Sequence, residues 1–189
     1  MERVLGRHEG PASYLTSEHA AILSRLLRES DSDGRERAAV LYTEEDSTSP
    51  EWSLAGPTIG GEQGVIGPDP PDTPLQIRLH THPTEGVGFS EADWSNFIST
   101  TLNGTPFGHL FHAPRIYAVV GRRFGEIEAS GAVKAVRPTL EYATLDPVER
   151  DRLKRRAHQN NEVGVMGQPF IMEVLEGYVE AETTSFSIR

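Results

Sequence analysis

The run Leu75–His82, LQIRLHTH, constrains the fold of this chain more than any other segment. Its apolar residues stand at every second position, and this period of two is typical of a β-strand with one buried face. By the same period, His80 and His82 share one face of the strand. A glycine-containing loop follows, and the segment from Ser90 to about Leu102 has the apolar spacing of a helix. The sequence therefore predicts a strand, a loop and a helix in succession.

Further elements around this segment favour a mixed α/β domain. A helix is predicted to begin at Thr16 or Ser17 and to run to about Arg28, and the DSDG sequence at 31–34 is a stop signal. The other predicted elements are strands at 38–42, 115–121 and 124–129 and a helix that begins at about Pro147, after Asp146. On the helix that follows Ser90, the residues predicted to face inward are Ala92, Phe97, Ile98 and Leu102. This order of helices and strands predicts a layered α/β fold.

Two segments carry weaker patterns. Residues 47–74 are rich in glycine and proline, which permits short strands but no central strand in PDPPDTP. Residues 170–189 are predicted to add a helix or a strand. We predict one domain over residues 1–135 and a C-terminal extension, 136–189, packed on that domain.

Composition excludes several classes of function. The chain of 189 residues has no cysteine, so any metal must be held by His, Asp or Glu. The net charge of −10 argues against a nucleic-acid partner. No apolar run approaches 18 residues and no signal peptide is evident, so we expect no membrane span and a cytoplasmic location. Lys134 and Lys154 are the only lysines, and this scarcity beside an excess of acidic residues is typical of a salt-adapted source.

His80 and His82 form a candidate metal site with Asp93. Two imidazoles on one side of a strand end can reach one ion at about 2.0–2.1 Å, and Asp93 can supply a third ligand atom. Three protein ligands leave the fourth tetrahedral position for water, as in catalytic zinc sites. Such a site also needs a base, for which the upstream candidates are Glu36, Glu44, Glu45 and Glu51, with Glu85 and Glu91 in the segment itself.

Simpler interpretations stay open at this point. Ser90-Glu-Ala-Asp93 is also a helix-capping pattern, in which Asp93 reaches back to the Ser90 amide. Two histidines in a loop are often exposed to solvent, so spacing alone does not separate a metal site from a polar loop. The other histidines are weaker candidates: His109 and His112 as a loop pair, and His8, His19 and His158 as isolated surface residues.

The segment His80-Thr-His-Pro83, six residues, then Ser90-Glu-Ala-Asp93 resembles the motif of the JAMM (MPN+) metallopeptidases. That family also has a glutamate just before a buried strand, and Glu36 fits this position better than Glu44 or Glu45. The resemblance implies a cytidine-deaminase-like fold, a three-layer α/β/α sandwich with a mixed sheet. It implies that His80, His82 and Asp93 bind zinc, that Glu36 is the general acid/base, and that Ser90 stabilises the oxyanion.

The function implied by the resemblance is zinc-dependent hydrolysis of peptide or isopeptide bonds. Together with the acidic, lysine-poor composition, it favours a prokaryotic, archaeal-type enzyme that removes ubiquitin-like modifiers from a protein substrate. One alternative is a non-catalytic JAMM-like scaffold, with the segment 47–74 blocking the site. Another is a PHP-type phosphoesterase, whose first motif is also H-x-H. A zinc cytidine deaminase is excluded because its cysteine ligands are absent.

Overall fold

A computed structural model describes residues 10–43, 51–61, 65, 67–68, 75–83, 87–103, 114–122, 128–163 and 175–188. The helices within these ranges are α1 (Ser17–Asp33), α2 (Glu91–Asn103), α3 (Leu140–Thr144) and α4 (Pro147–Val163), with short 3-10 helices at Pro11–Tyr14 and Glu176–Tyr178. The strands are β1 (Arg37–Thr43), β2 (Ser53–Ile59), β3 (Leu75–His82), β4 (Arg115–Gly121), β5 (Ala129–Pro138) and β6 (Val179–Ile188). Among the described helices, none combines the length and apolar character that a bilayer crossing requires.

The strands form one six-stranded mixed sheet in the order β2-β1-β3-β4-β5-β6. β1 is antiparallel to both β2 and β3, and β3 is parallel to β4. The predicted α/β class is confirmed. β5 runs across residue 135, and β6 adds part of the C-terminal region to the sheet. The predicted domain division at residue 135 stays a prediction.

α1 begins as expected and ends later than expected. Thr16 is its N-cap: its hydroxyl accepts from the His19 amide, and the His19 ring accepts from the Thr16 amide. The predicted end near Arg28 is wrong, because the helix continues to Asp33. Gly34 then stops it with a φ of 71°, and its N–H donates to the Ser30 carbonyl.

Contacts between Cα atoms divide the chain into two compact units. The first contains α1, β1 to β4, most of β5 and the end of β6. Its apolar core joins one face of α1 to one face of these strands, because alternate strand residues point toward the helix. The members that define this face are Leu23, Leu26 and Leu27 of α1, Ala39 and Leu41 of β1, Ile77 and Leu79 of β3, Ile116, Ala118 and Val120 of β4, Val133 of β5, and Phe186 of β6.

The second unit contains α2, α3, α4, the end of β5 and the start of β6. Its core consists of Ile98, Leu102, Tyr142 and Leu175, and the Tyr142 hydroxyl donates to the Leu102 carbonyl at 3.0 Å. Three of the predicted inward positions of α2 are buried: Phe97, Ile98 and Leu102. The fourth, Ala92, is exposed in the first turn of the helix, so that prediction is wrong.

The remaining predicted elements have mixed outcomes. β4 coincides with the predicted strand at 115–121, and α4 begins at Pro147, where the Asp146 carboxylate accepts from the Glu149 amide at 2.9 Å. Most of the strand predicted at 124–129 lies outside the described residues. The strand that is observed there, β5, begins at Ala129 and extends to Pro138.

Replacing Gly131 of β5 with alanine is expected to lower the free energy of unfolding by about 3 kcal/mol, the upper end of overpacking costs. A Cβ there would overlap the Val119 carbonyl oxygen and lie 2.6 Å from Cζ of Phe186. Gly177→Ala is the matched control, since its added Cβ meets no atom within 4 Å. Urea denaturation of both variants measures the difference. Equal stability of the two variants would contradict this packing of β5 between its neighbours.

Candidate metal centre

The two candidate histidines lie together at the end of β3, on the sheet face turned away from α1. Ile77 and Leu79 point into the core with α1, so the alternate residues His80 and His82 point to the other side. Their side chains are 9% and 4% exposed. The predicted placement on one face is therefore confirmed, and both imidazoles are removed from bulk water.

The geometry of this pair fits a shared metal ion. The Nε2 atoms of His80 and His82 are 3.1 Å apart, and the rings are inclined by 66°. Two nitrogens bound to one tetrahedral ion at 2.0–2.1 Å stand about 3.3 Å apart. The same separation fits a hydrogen bond between two neutral rings, one donating and one accepting. The pair thus presents two nitrogen ligands at nearly the required separation, without a change of rotamer.

Glu36 lies just before β1, which pairs with the strand of the histidines. In the antiparallel register of β1 and β3, Ala38 is opposite His80, and Glu36, two residues before Ala38 and just outside β1, is expected on the same side by strand alternation. Its main chain is fixed from the β2 side, since its N–H donates to the Gly61 carbonyl and its carbonyl accepts from the Gly60 amide, both at 2.9 Å. The residue is only 6% exposed, which is unusual for a carboxylate.

Ser90 and Asp93 form the capping box that the S-x-x-D pattern predicts. Asp93 Oδ2 accepts from both the Ser90 amide and the Ser90 hydroxyl at 2.8 Å, and Ser90 Oγ accepts from the Asp93 amide at 3.1 Å. These three bonds fix the start of α2 and the orientation of the Asp93 carboxylate. The helix-capping prediction is confirmed.

One group among the described residues has the composition and spacing of a metal site. His80, His82 and Asp93 each offer one ligand atom, and these atoms lie within 4.8 Å of one another. They are the three residues expected as ligands from the sequence. A His-His-Asp triad could hold a metal ion through two nitrogens and one oxygen, a ligand set found with several divalent ions.

A polar cluster of one buried arginine and two exposed carboxylates, which no sequence pattern indicates, lies behind the histidines, on the α1 side of the sheet. Its centre is Arg37, whose guanidinium donates to both carboxylate oxygens of Asp33 at 2.9 and 2.8 Å and lies 3.4 Å from Glu29. This pairing lowers the pKa of Asp33 to about 2. The Arg37 amide donates to the Thr81 hydroxyl at 2.9 Å, which connects β1 to the residue between the two histidines.

The other candidate histidines lie elsewhere or outside the described residues. The prediction that His19 is an isolated surface residue is wrong: its side chain is fully buried, caps α1 and packs edge-on against Trp52, with ring centroids 4.8 Å apart. Burial lowers the pKa of its imidazole. The predictions for His8, His109 and His112 fall outside the described residues, as do Glu44, Glu45 and Glu85.

Comparison of the chain with protein-family models, with curated proteins and with solved structures finds no match in any of the three.

The buried His19 gives the stability of the protein a specific dependence on pH. Its pKa is lower in the folded protein than the 6.5 of the unfolded chain, so below about pH 6.5 the unfolded state binds a proton that the folded state does not. Stability is expected to fall as the pH drops from 6.5 toward the folded-state pKa, by at most about 1.4 kcal/mol per pH unit.

The variant His19→Gln isolates this effect, because glutamine also serves as the third helical residue of a capping box and does not titrate. Urea unfolding of both proteins between about pH 7.5 and about pH 5, a range that brackets the ordinary histidine pKa, measures it. We expect the wild type to lose stability relative to the variant on acidification. Parallel stability profiles would show that His19 is not buried in its neutral form.

Proposed function

We propose that this protein is a zinc-dependent hydrolase of the JAMM type that cleaves peptide or isopeptide bonds. The observation that carries the proposal is the burial of Glu36 just before β1, the strand that pairs with β3 and aligns Ala38 with His80. A structural histidine pair has no need of such a neighbour. A hydrolytic metal site needs a base beside its ligands.

In this proposal, His80, His82 and Asp93 hold the zinc ion. Two imidazole nitrogens and one carboxylate oxygen are common zinc ligands, and a chain without cysteine has no thiolate to offer. The capping box uses Oδ2 of Asp93, so a carboxylate with two oxygens can cap α2 and serve as a ligand at once. When bound, zinc lowers the pKa of a water molecule from 15.7 toward about 7 and polarises the substrate carbonyl.

Glu36 is the proposed proton carrier. Its carboxylate accepts a proton from the attacking water, whose oxygen forms the new bond to the carbonyl carbon. It then delivers that proton to the leaving nitrogen as the C–N bond breaks, which gives a carboxylic acid and a free amine. The acid then loses its remaining proton to solvent and becomes a carboxylate. The main-chain bonds to Gly60 and Gly61 hold Glu36 in place for both transfers.

Ser90 is the proposed oxyanion donor. Its hydroxyl donates to Asp93 Oδ2 in the structure, so it must turn that hydrogen toward the tetrahedral oxyanion during the reaction. Hydrogen-bond donors positioned where negative charge develops are often the largest single contribution to acyl-transfer catalysis. The capping box supports this role because it fixes the Ser90 oxygen at the start of α2.

The substrate proposed is a protein conjugated to a ubiquitin-like modifier, and the fold proposed is the three-layer α/β/α sandwich of the JAMM family. The six-stranded mixed sheet and the helices are compatible with that architecture. A PHP-type phosphoesterase is not favoured, since it needs several ligands beyond the first histidine pair and the described residues contain only one group with metal-site spacing.

The variant Glu36→Gln tests the proposal. It keeps the size of the side chain and removes the proton acceptor, so we expect kcat on isopeptide-linked ubiquitin-like conjugates to fall by about 100-fold or more while bound zinc stays near the wild-type amount. Glu91→Gln is the matched control, because Glu91 is exposed in the first turn of α2. Activity is measured on a panel of isopeptide conjugates and linear peptide fusions. Cleavage by Glu36→Gln at the wild-type rate, or no cleavage by the zinc-loaded wild type, would contradict the proposal.

A further inference from the structure

A continuous hydrogen-bond chain connects the residue between the two histidines to the backbone on both sides of Glu36. The Arg37 amide donates to the Thr81 hydroxyl oxygen at 2.9 Å. The hydroxyl oxygens of Thr81 and Ser30 are 2.7 Å apart, and the Ser30 hydroxyl donates to the Arg35 carbonyl. Arg35 and Arg37 are the two neighbours of Glu36 in sequence, so the chain begins and ends next to it.

The direction of every bond in this chain follows from the number of hydrogens available. The Ser30 hydroxyl has one hydrogen, which it donates to the Arg35 carbonyl. Ser30 Oγ must therefore accept from Thr81, and Thr81 Oγ1 accepts from the Arg37 amide in turn. Each hydroxyl both donates and accepts, and an arrangement with one orientation for each hydroxyl is more rigid than one in which hydroxyls rotate freely.

The hydrogen-bond chain is formed mainly by buried residues. Thr81 and Ser30 are fully buried, and Arg37 is 6% exposed. Ser30 lies in the last turn of α1, where its carbonyl accepts from the Gly34 amide at 2.8 Å. Breaking the hydrogen bond of a buried hydroxyl costs far more free energy than breaking that of an exposed hydroxyl, so this hydrogen-bond chain resists rearrangement.

We infer that Thr81 is a positioning residue, which fixes the relative placement of Glu36 and the histidine pair through the hydrogen-bond chain to Ser30, Arg35 and Arg37. The inference rests on the metal site of the proposed function. Thr81 lies on the face of β3 opposite to that of His80 and His82, so it touches neither substrate nor metal, and it acts through the main chain that it holds.

The variants Thr81→Val and Thr81→Ser test this role. Valine keeps the shape of threonine and loses the hydroxyl, whereas serine keeps the hydroxyl and loses a methyl group. We expect Thr81→Val to raise the zinc dissociation constant about tenfold, as is typical of residues that orient metal ligands from behind, and Thr81→Ser to stay within about twofold of the wild type. Chelator competition measures the affinity, and the visible absorption of the cobalt-substituted protein reports a change of ligand geometry.

Thr43→Val is the matched control. Thr43 is 1% exposed and lies at the opposite end of β1, where it pairs with Leu75. The loss of the buried Thr43 hydroxyl in this variant is expected to lower the urea concentration at the midpoint of unfolding without changing zinc affinity. Ser30→Ala interrupts the hydrogen-bond chain at a second point and is expected to weaken zinc binding in the same direction, which keeps the test decisive if Thr81→Val does not fold.

Zinc affinities of Thr81→Val and Ser30→Ala equal to that of the wild type, or an equal loss in Thr43→Val, would overturn the inference. A wild type that binds zinc and cleaves no peptide or isopeptide bond would count against the proposed function alone, because the affinity comparison does not depend on turnover. A wild type that binds no zinc would overturn both.

Discussion

The antiparallel pairing of β1 with β3 is the constraint on which the rest of this structure depends. It aligns Ala38 with His80 and Ala39 with Leu79, so each strand has one set of side chains toward α1 and another set away from it. A slip of one residue would move the histidines into the apolar core and expose the leucines. The pairing also places the start of β1, which the buried Glu36 precedes, at the end of β3 that carries the histidines. One register therefore specifies both the core and the candidate site.

The two faces of this strand pair have different physical tasks. On the α1 side, apolar residues and the ion pairs of the buried Arg37 with carboxylates of α1 hold the strands against the helix. On the other side, His80 and His82 present nitrogens 3.1 Å apart at a strand end. Thr81 is hydrogen-bonded to Ser30 and Arg37 and is covalently joined to both histidines. Thr81 therefore couples the packing of the strands against α1 to the positions of the two imidazoles.

Local patterns could be read from the sequence where they depend on near neighbours. The alternation before His80 placed both histidines on one face, and S-x-x-D predicted the capping box of Ser90 and Asp93. The predicted end of α1 near Arg28 is too early, because residues 31–33 continue the helix despite their weak helix propensity and the left-handed cap at Gly34 ends it. The burial of His19 depends on Trp52, and the hydrogen-bond chain through Thr81 depends on Ser30. Both are contacts between distant segments that no local period encodes.

The claim that this histidine pair binds zinc is tested most directly by diffraction from zinc-loaded crystals, with data collected on both sides of the zinc absorption edge. We expect one anomalous difference peak at about 2.0–2.1 Å from the Nε2 atoms of His80 and His82, with an Asp93 oxygen as the third protein ligand. A peak bound by other residues, or no peak beside these two nitrogens at saturating zinc, would contradict it.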